Sequence, residues 1–101
     1  MKIEFHRLAY QELDDSAEYY DSLSSGLGAE FVATQRSAFE QIMRFSEAWP
    51  IVTPEIPHVR FFYTERFGHK VFYRADPGVV YVLAVAHSAR KPLYWIDRLE
   101  S

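Results

Sequence analysis

Val79–Trp95 reads VVYVLAVAHSARKPLYW, and its two halves ask for different surroundings. The first eight residues, Val79 to Ala86, are apolar throughout and mostly β-branched or aromatic. A run this short and this apolar suits a strand covered on both faces, because a strand with one wet face alternates and a helix needs more length. The character then changes. His87, Arg90 and Lys91 fall within five residues, and Pro92, Tyr94 and Trp95 follow directly. A central strand that ends in proton donors and aromatics aims side chains out of a rigid scaffold, so the strand's exit is the candidate working surface.

Working outward in both directions, each neighbour of this strand has its own signature. Val59–Arg66 and His69–Arg74 are strand candidates separated by Phe67-Gly68, a hairpin pattern in which Gly can take positive φ. Ala75-Asp76-Pro77-Gly78 places Pro and Gly as a type II turn requires, and it leads into Val79. Earlier in the chain, Lys2–Phe5 alternates and reads as a first strand. From about Ala9 the period becomes helical. Ala9, Leu13, Ala17, Tyr20 and Leu23 share one face, while Glu12, Asp14, Asp15, Glu18 and Asp21 occupy the rest. Ser24-Ser25-Gly26 stops that helix, and a second runs from about Gly28 to Ser46. There Phe31, Ala38, Ile42 and Phe45 form a stripe flanked by Val32, Phe39 and Met43, while Arg36, Glu40 and Arg44 form a solvated charge ladder opposite. The short link makes the helices an antiparallel hairpin. Trp49-Pro50 ends the second helix, and Pro50, Pro54 and Pro57 keep the next stretch irregular. Pro92–Leu99 reads as a short helical tail. The expected class is α+β: β-α-α-β-β-β and a tail, with the hairpin on one face of an antiparallel sheet.

Bulk properties narrow the field. A chain of 101 residues that is 49% apolar is one domain with a real core, spanning 1–101. The sequence has no cysteine, which excludes disulfides and thiolate metal sites, and no apolar run is long enough to cross a membrane. MKIEFHRLAY lacks the apolar core of a signal peptide, so the cytoplasm is the expected compartment. Residues 1–57 carry four Lys/Arg against ten Asp/Glu, whereas 58–101 carry seven against four. The net charge of −3 argues against a dedicated nucleic-acid binder, while the basic second half leaves a local anionic contact open.

Several side chains have the chemistry of a site, each with a structural reading beside it. His87 suits a general acid or base, or an anchor between strand end and tail. Arg90 and Arg98 suit two-point recognition of phosphate or carboxylate, or ion pairs with the acidic helices. Tyr94 and Trp95 suit stacking on a base, or packing of the tail on the sheet. Arg60, Arg66, Lys70 and Arg74 lie along the hairpin strands, as one basic stripe or as ordinary solvent-facing positions. Tyr19 is an aromatic on an acidic helix face, a partly exposed ring or a partner contact. His6, His58 and His69 are isolated in sequence, so neither a metal nor a cofactor is expected. Glycine-rich phosphate loops, G-x-S-x-G elbows and H-E-x-x-H pairs are absent from the sequence.

The hairpin with Leu13, Tyr20, Gly26-Leu27-Gly28 and Phe31, the central Arg60, then Phe67 and Val71-Phe72-Tyr73-Arg74, and the closing A-H-x-x-R-x-P-x-Y-W pattern from Ala86 to Trp95 together resemble a known family. They are similar to toxins of the ParE/RelE superfamily of type II toxin–antitoxin systems, in the branch called plasmid stabilization proteins. The resemblance implies a small cytoplasmic toxin wrapped by the C-terminal segment of its antitoxin. It leaves two targets. ParE-like members bind and poison DNA gyrase without enzymatic chemistry; RelE-like members cut mRNA on the ribosome. In the nuclease reading Lys70 and Arg90 steady the phosphate while His87 or Tyr94 moves protons. In the ParE-like reading, the favoured one given the net acidity, Arg60, Arg74, Trp95, Arg98 and Tyr19 are the target or partner contacts. The oligomeric state is not fixed by either.

Overall fold

The computed structural model describes residues 1–100. In chain order the elements are β1 (Lys2–Phe5), α1 (Arg7–Leu23), α2 (Leu27–Arg44), β2 (Val59–Thr64), β3 (His69–Asp76) and β4 (Val79–His87), followed by a single-turn tail at Ile96–Glu100. The strands form one sheet in the order β1-β4-β3-β2. β4 is central, and Val82 to Ala86 are buried, as a strand covered on both faces must be. The β2-β3-β4 meander is antiparallel, but β1 joins β4 in parallel, so the sheet is mixed rather than wholly antiparallel.

α1 begins where His6 turns the chain out of the sheet: its Nδ1 accepts the Leu8 N–H at 3.1 Å and caps the first turn. At the other end, Asp21 serves the following helix. Its Oδ1 accepts the N–H groups of Gly26 (2.9 Å) and Gly28 (3.3 Å), placing a carboxylate where α2 has unpaired donors and a positive dipole end. The helices approach so closely here that a Cβ on Gly28 would lie 2.4 Å from the Ala17 carbonyl oxygen. Two expected core positions, Leu23 and Phe45, are exposed because each sits at the very end of its helix. Gln35 is fully buried instead, its amide within 3.4 Å of the Thr64 hydroxyl.

Between β2 and β3, Thr64 already pairs with His69, so the connection is Glu65–Gly68 and not a two-residue turn. Both Phe67 (φ 72°) and Gly68 (φ 62°) are left-handed. Phe67 is held there by ring contacts to Tyr20 and Phe31, which offset the strain of a non-glycine residue in that region.

The sheet has two cores. Under the helices, Val71, Tyr73, Val80, Val82 and Val85 meet Ala9, Phe31, Phe39 and Ile42. On the opposite face, Val59, Leu83, Ala84 and Trp95 form a second cluster, covered by the proline-rich stretch and the tail. A bulge in β4 joins the two. Tyr73 pairs with Val82 and Phe72 with Ala84, leaving Leu83 without a partner on β3. The extra residue reverses the alternation beyond it, so Val85 and His87 share a face with Val71 and His69.

Candidate functional site

β4 outruns its parallel neighbour. The β1–β4 register ends at Phe5 opposite Val82, with the His6 N–H donating to the Val82 carbonyl at 2.9 Å. Past that point the edge of β4 is completed by side chains. The Val85 N–H donates to Glu12 Oε1 at 3.1 Å, and the Leu83 carbonyl accepts from Arg98 Nη1 at 3.0 Å. Arg98 also grips both oxygens of Glu12, and the Tyr94 hydroxyl donates to Glu12 Oε2 at 2.5 Å. Glu12 therefore joins α1, the central strand and the tail at one point. It was expected on a wet helix face; the tail arriving from the far end of the chain is what buries it.

The tail so anchored forms a wall. Between it and the sheet face opposite the helices lies a pocket of about 150 Å³. Lys70, His87, Arg90 and Tyr94, the four residues of the nuclease reading, all border it, together with Lys91. Phe72 and Trp95 form its floor, stacked at 4.9 Å with 33° between their planes. His87 is exposed, and its Nδ1 accepts the Ala89 N–H at 3.1 Å, which leaves Nε2 to carry the proton of the neutral ring. Arg90 lies over the Tyr94 ring at 3.9 Å. Burial raises the Tyr94 phenol well above its usual range, and its bond to the Glu12 carboxylate adds to this. A phenol held protonated and donating to a fixed carboxylate is a poor proton shuttle at neutral pH.

The remaining expected contacts are scattered. Trp95, expected at a target or partner surface, is 1% exposed and has no surface left to offer one, because it carries the second core. Arg98 is likewise committed, its side chain 11% exposed in the Glu12 ion pair. Arg60 donates to the Trp49 carbonyl at 2.6 Å, Arg74 pairs with Asp76 at 3.0 Å, and Arg66 pairs with Glu30. In the strand register Arg60 lies across from Tyr73 of the helix-side core, whereas Lys70 and Arg74 share the opposite face with Phe72, so the four hairpin cations do not make one stripe. Tyr19 is 59% exposed and borders a shallow depression with Asp15, Glu18 and Ser22 on α1. His69, isolated in sequence, is not so in space: it is buried, and its ring stands edge-on to His87 at 5.3 Å. Among the described residues no group of three or more His, Cys, Asp or Glu is placed to hold a metal, and no helix is long and apolar enough to cross a membrane.

A helix hairpin on one face of a mixed four-stranded sheet, a tail closing the other face, and a cationic rim where β4 emerges define a small α+β domain. The family model described as "ParE toxin of type II toxin-antitoxin system, parDE" matches residues 3–92, and the chain belongs to that family. Among solved structures, one chain of "Chromosomal ParDE TA system from P. aeruginosa" is similar in fold. The TM-score is 0.62 at 19% identity, over 86% of this chain and 95% of that one. No curated protein sequence matches.

Proposed function

We propose that residues 1–101 form one cytoplasmic toxin domain, held inactive by an antitoxin made with it, and that it acts by binding a protein target such as DNA gyrase. Family membership supports the toxin role. The observation that carries the non-enzymatic reading is the state of Tyr94. Its hydroxyl is given to Glu12, so one of the four residues of the nuclease reading holds the fold together. Tyr19, Arg60 and Arg74 remain the candidate contacts for antitoxin or target. Inducing the toxin without its antitoxin and following plasmid supercoiling tests this: a shift in topology before growth stops is expected, and normal topology during arrest overturns it.

The convergence of Lys70, His87, Arg90 and Tyr94 on one pocket favours a second reading, ribosome-dependent mRNA cleavage. Intact mRNA in a translating extract that contains growth-arresting toxin eliminates it.

A further inference from the structure

The pocket between tail and sheet combines features that neither reading uses together. Its rim bears Lys70, Arg90 and Lys91, none of which is in an ion pair among the described residues, whereas Arg66, Arg74 and Arg98 all are. Its floor is apolar, with Phe72 supplying an aromatic face backed by the buried Trp95. Leu93, at its edge, is 40% exposed and sits at φ 60°. A leucine in the left-handed region is strained, and such strain clusters at ligand sites.

Size and charge narrow the ligand. A cavity of about 150 Å³ suits a group the size of one side chain. Cations above an apolar floor call for a negative group within a bond or two of an apolar one. A long polyanion fits less well, because the adjoining depression that His87 and Arg90 also border is lined by the Asp15 carboxylate and by Glu12, whose charge Arg98 already balances. A single carboxylate escapes that repulsion. The chain terminus of a protein meets all three conditions at once, since its carboxylate and its last side chain leave the same carbon.

We propose that this pocket is a socket for the apolar C-terminal residue of a protein partner. The side chain lies on Phe72 and against Leu93, and the terminal carboxylate is held by Arg90 and Lys91 with Lys70 as the third cation of the rim. Arg90 is already flattened on the Tyr94 ring, which fixes its plane and limits the ordering it must undergo on binding. The socket requires only a protein ligand, so it stands whether the toxin's target is gyrase or another protein.

The test is a titration of the intact protein with acetyl-Ala-Ala-Leu, followed by two-dimensional amide NMR and the Trp95 indole signal. The same titration is run with the C-terminal amide of that peptide and with a short single-stranded oligonucleotide. The free acid should shift Lys70, Phe72 and Leu93, and the amide should bind about tenfold more weakly, as loss of a charge-assisted pair requires. Arg90→Ala combined with Lys91→Ala changes only exposed side chains and should weaken the acid by a similar factor with the spectrum otherwise intact. Equal binding of acid and amide overturns the terminal-carboxylate socket. So does the absence of shifts at about 10 mM peptide. Stronger binding of the oligonucleotide at the same residues overturns it in favour of a nucleic-acid site.

Discussion

Arg98 meets Glu12 through both terminal nitrogens, at 2.9 and 3.0 Å, across 86 positions of sequence. The pair is mostly buried, with side chains 11% and 15% exposed, and its remaining hydrogen-bonding capacity goes to the β4 backbone and Tyr94. Breaking such a pair from one side leaves a charge with little water and no partner.

Glu12→Ala should therefore cost about 3–5 kcal/mol, far above the value of an exposed ion pair. Arg98→Ala should cost a similar amount, and the double variant less than the sum, with a coupling of about 1–3 kcal/mol. Urea unfolding of the four proteins in the cycle measures it. Additive costs would mean that the two residues stabilise the domain separately.

Trp95→Ala should remove about 3–5 kcal/mol, because a fully buried ring is deleted from the smaller core and the tail loses its stacking on Phe72. Thermal unfolding gives the loss, and amide exchange should quicken throughout Tyr94–Glu100. Tyr19→Ala, at an exposed ring, should leave stability within about 0.5 kcal/mol.

His69 gives the fold an acid sensitivity. Its pKa lies below the ordinary 6.5 chiefly because the ring is buried; the bond to the Phe67 carbonyl opposes this and the neighbouring His87 adds to it. The unfolded chain takes up this proton more readily than the folded one. The contribution to stability is thus complete above 6.5 and is lost as the pH falls from there through the folded value. His6 acts in the same sense, lowered first by burial and then by Arg98 and Arg7. Urea midpoints should fall between about pH 7.5 and about pH 5, and His69→Gln should flatten that decline. An unchanged slope in the variant would assign the sensitivity elsewhere.

At the alkaline end two of the seven tyrosines should stay silent. Burial pushes Tyr73 up to about 12, and its hydroxyl donates to the Ser46 carbonyl at 2.7 Å; burial and Glu12 hold Tyr94 higher still. The unfolded state ionises both near 10.0, so their contribution is intact below that pH and declines above it. An ultraviolet titration should show these two phenols ionising only together with unfolding.

Gly28→Ala should destabilise by about 1–3 kcal/mol, since its methyl would meet the Ala17 carbonyl of the facing helix and neither backbone can retreat without opening the hairpin. Circular dichroism melting reads the shift.

Much of this architecture was legible because the sequence punctuates itself clearly. The run from Val79 to Ala86 has no polar residue, and only a central strand covered on both faces accommodates that in so short a length. The same property hid the bulge at Leu83. Where every residue is apolar no alternation exists to reveal a change of face, so the meeting of His87 with His69 could not be foreseen. Glu12 was hidden for a different reason: helical periodicity sorts residues by their own helix, and this carboxylate is buried by Tyr94 and Arg98 from the other end of the chain. The rim's membership was readable from adjacency in sequence, Arg90 to Tyr94, with Lys70 added by strand pairing. The commitment of Trp95 and Arg98 to packing, rather than to a partner, depends on long-range geometry that spacing does not encode.

The flank of β4 beyond Val82 is closed by two side chains far apart in the sequence, Glu12 on the Val85 N–H and Arg98 on the Leu83 carbonyl. A flank held by side chains can open without unzipping a neighbouring strand, because no second backbone has to leave with it. The middle of the sheet therefore has one border that the tail alone can loosen, and a disturbance of the tail reaches the strand that bears His87 directly.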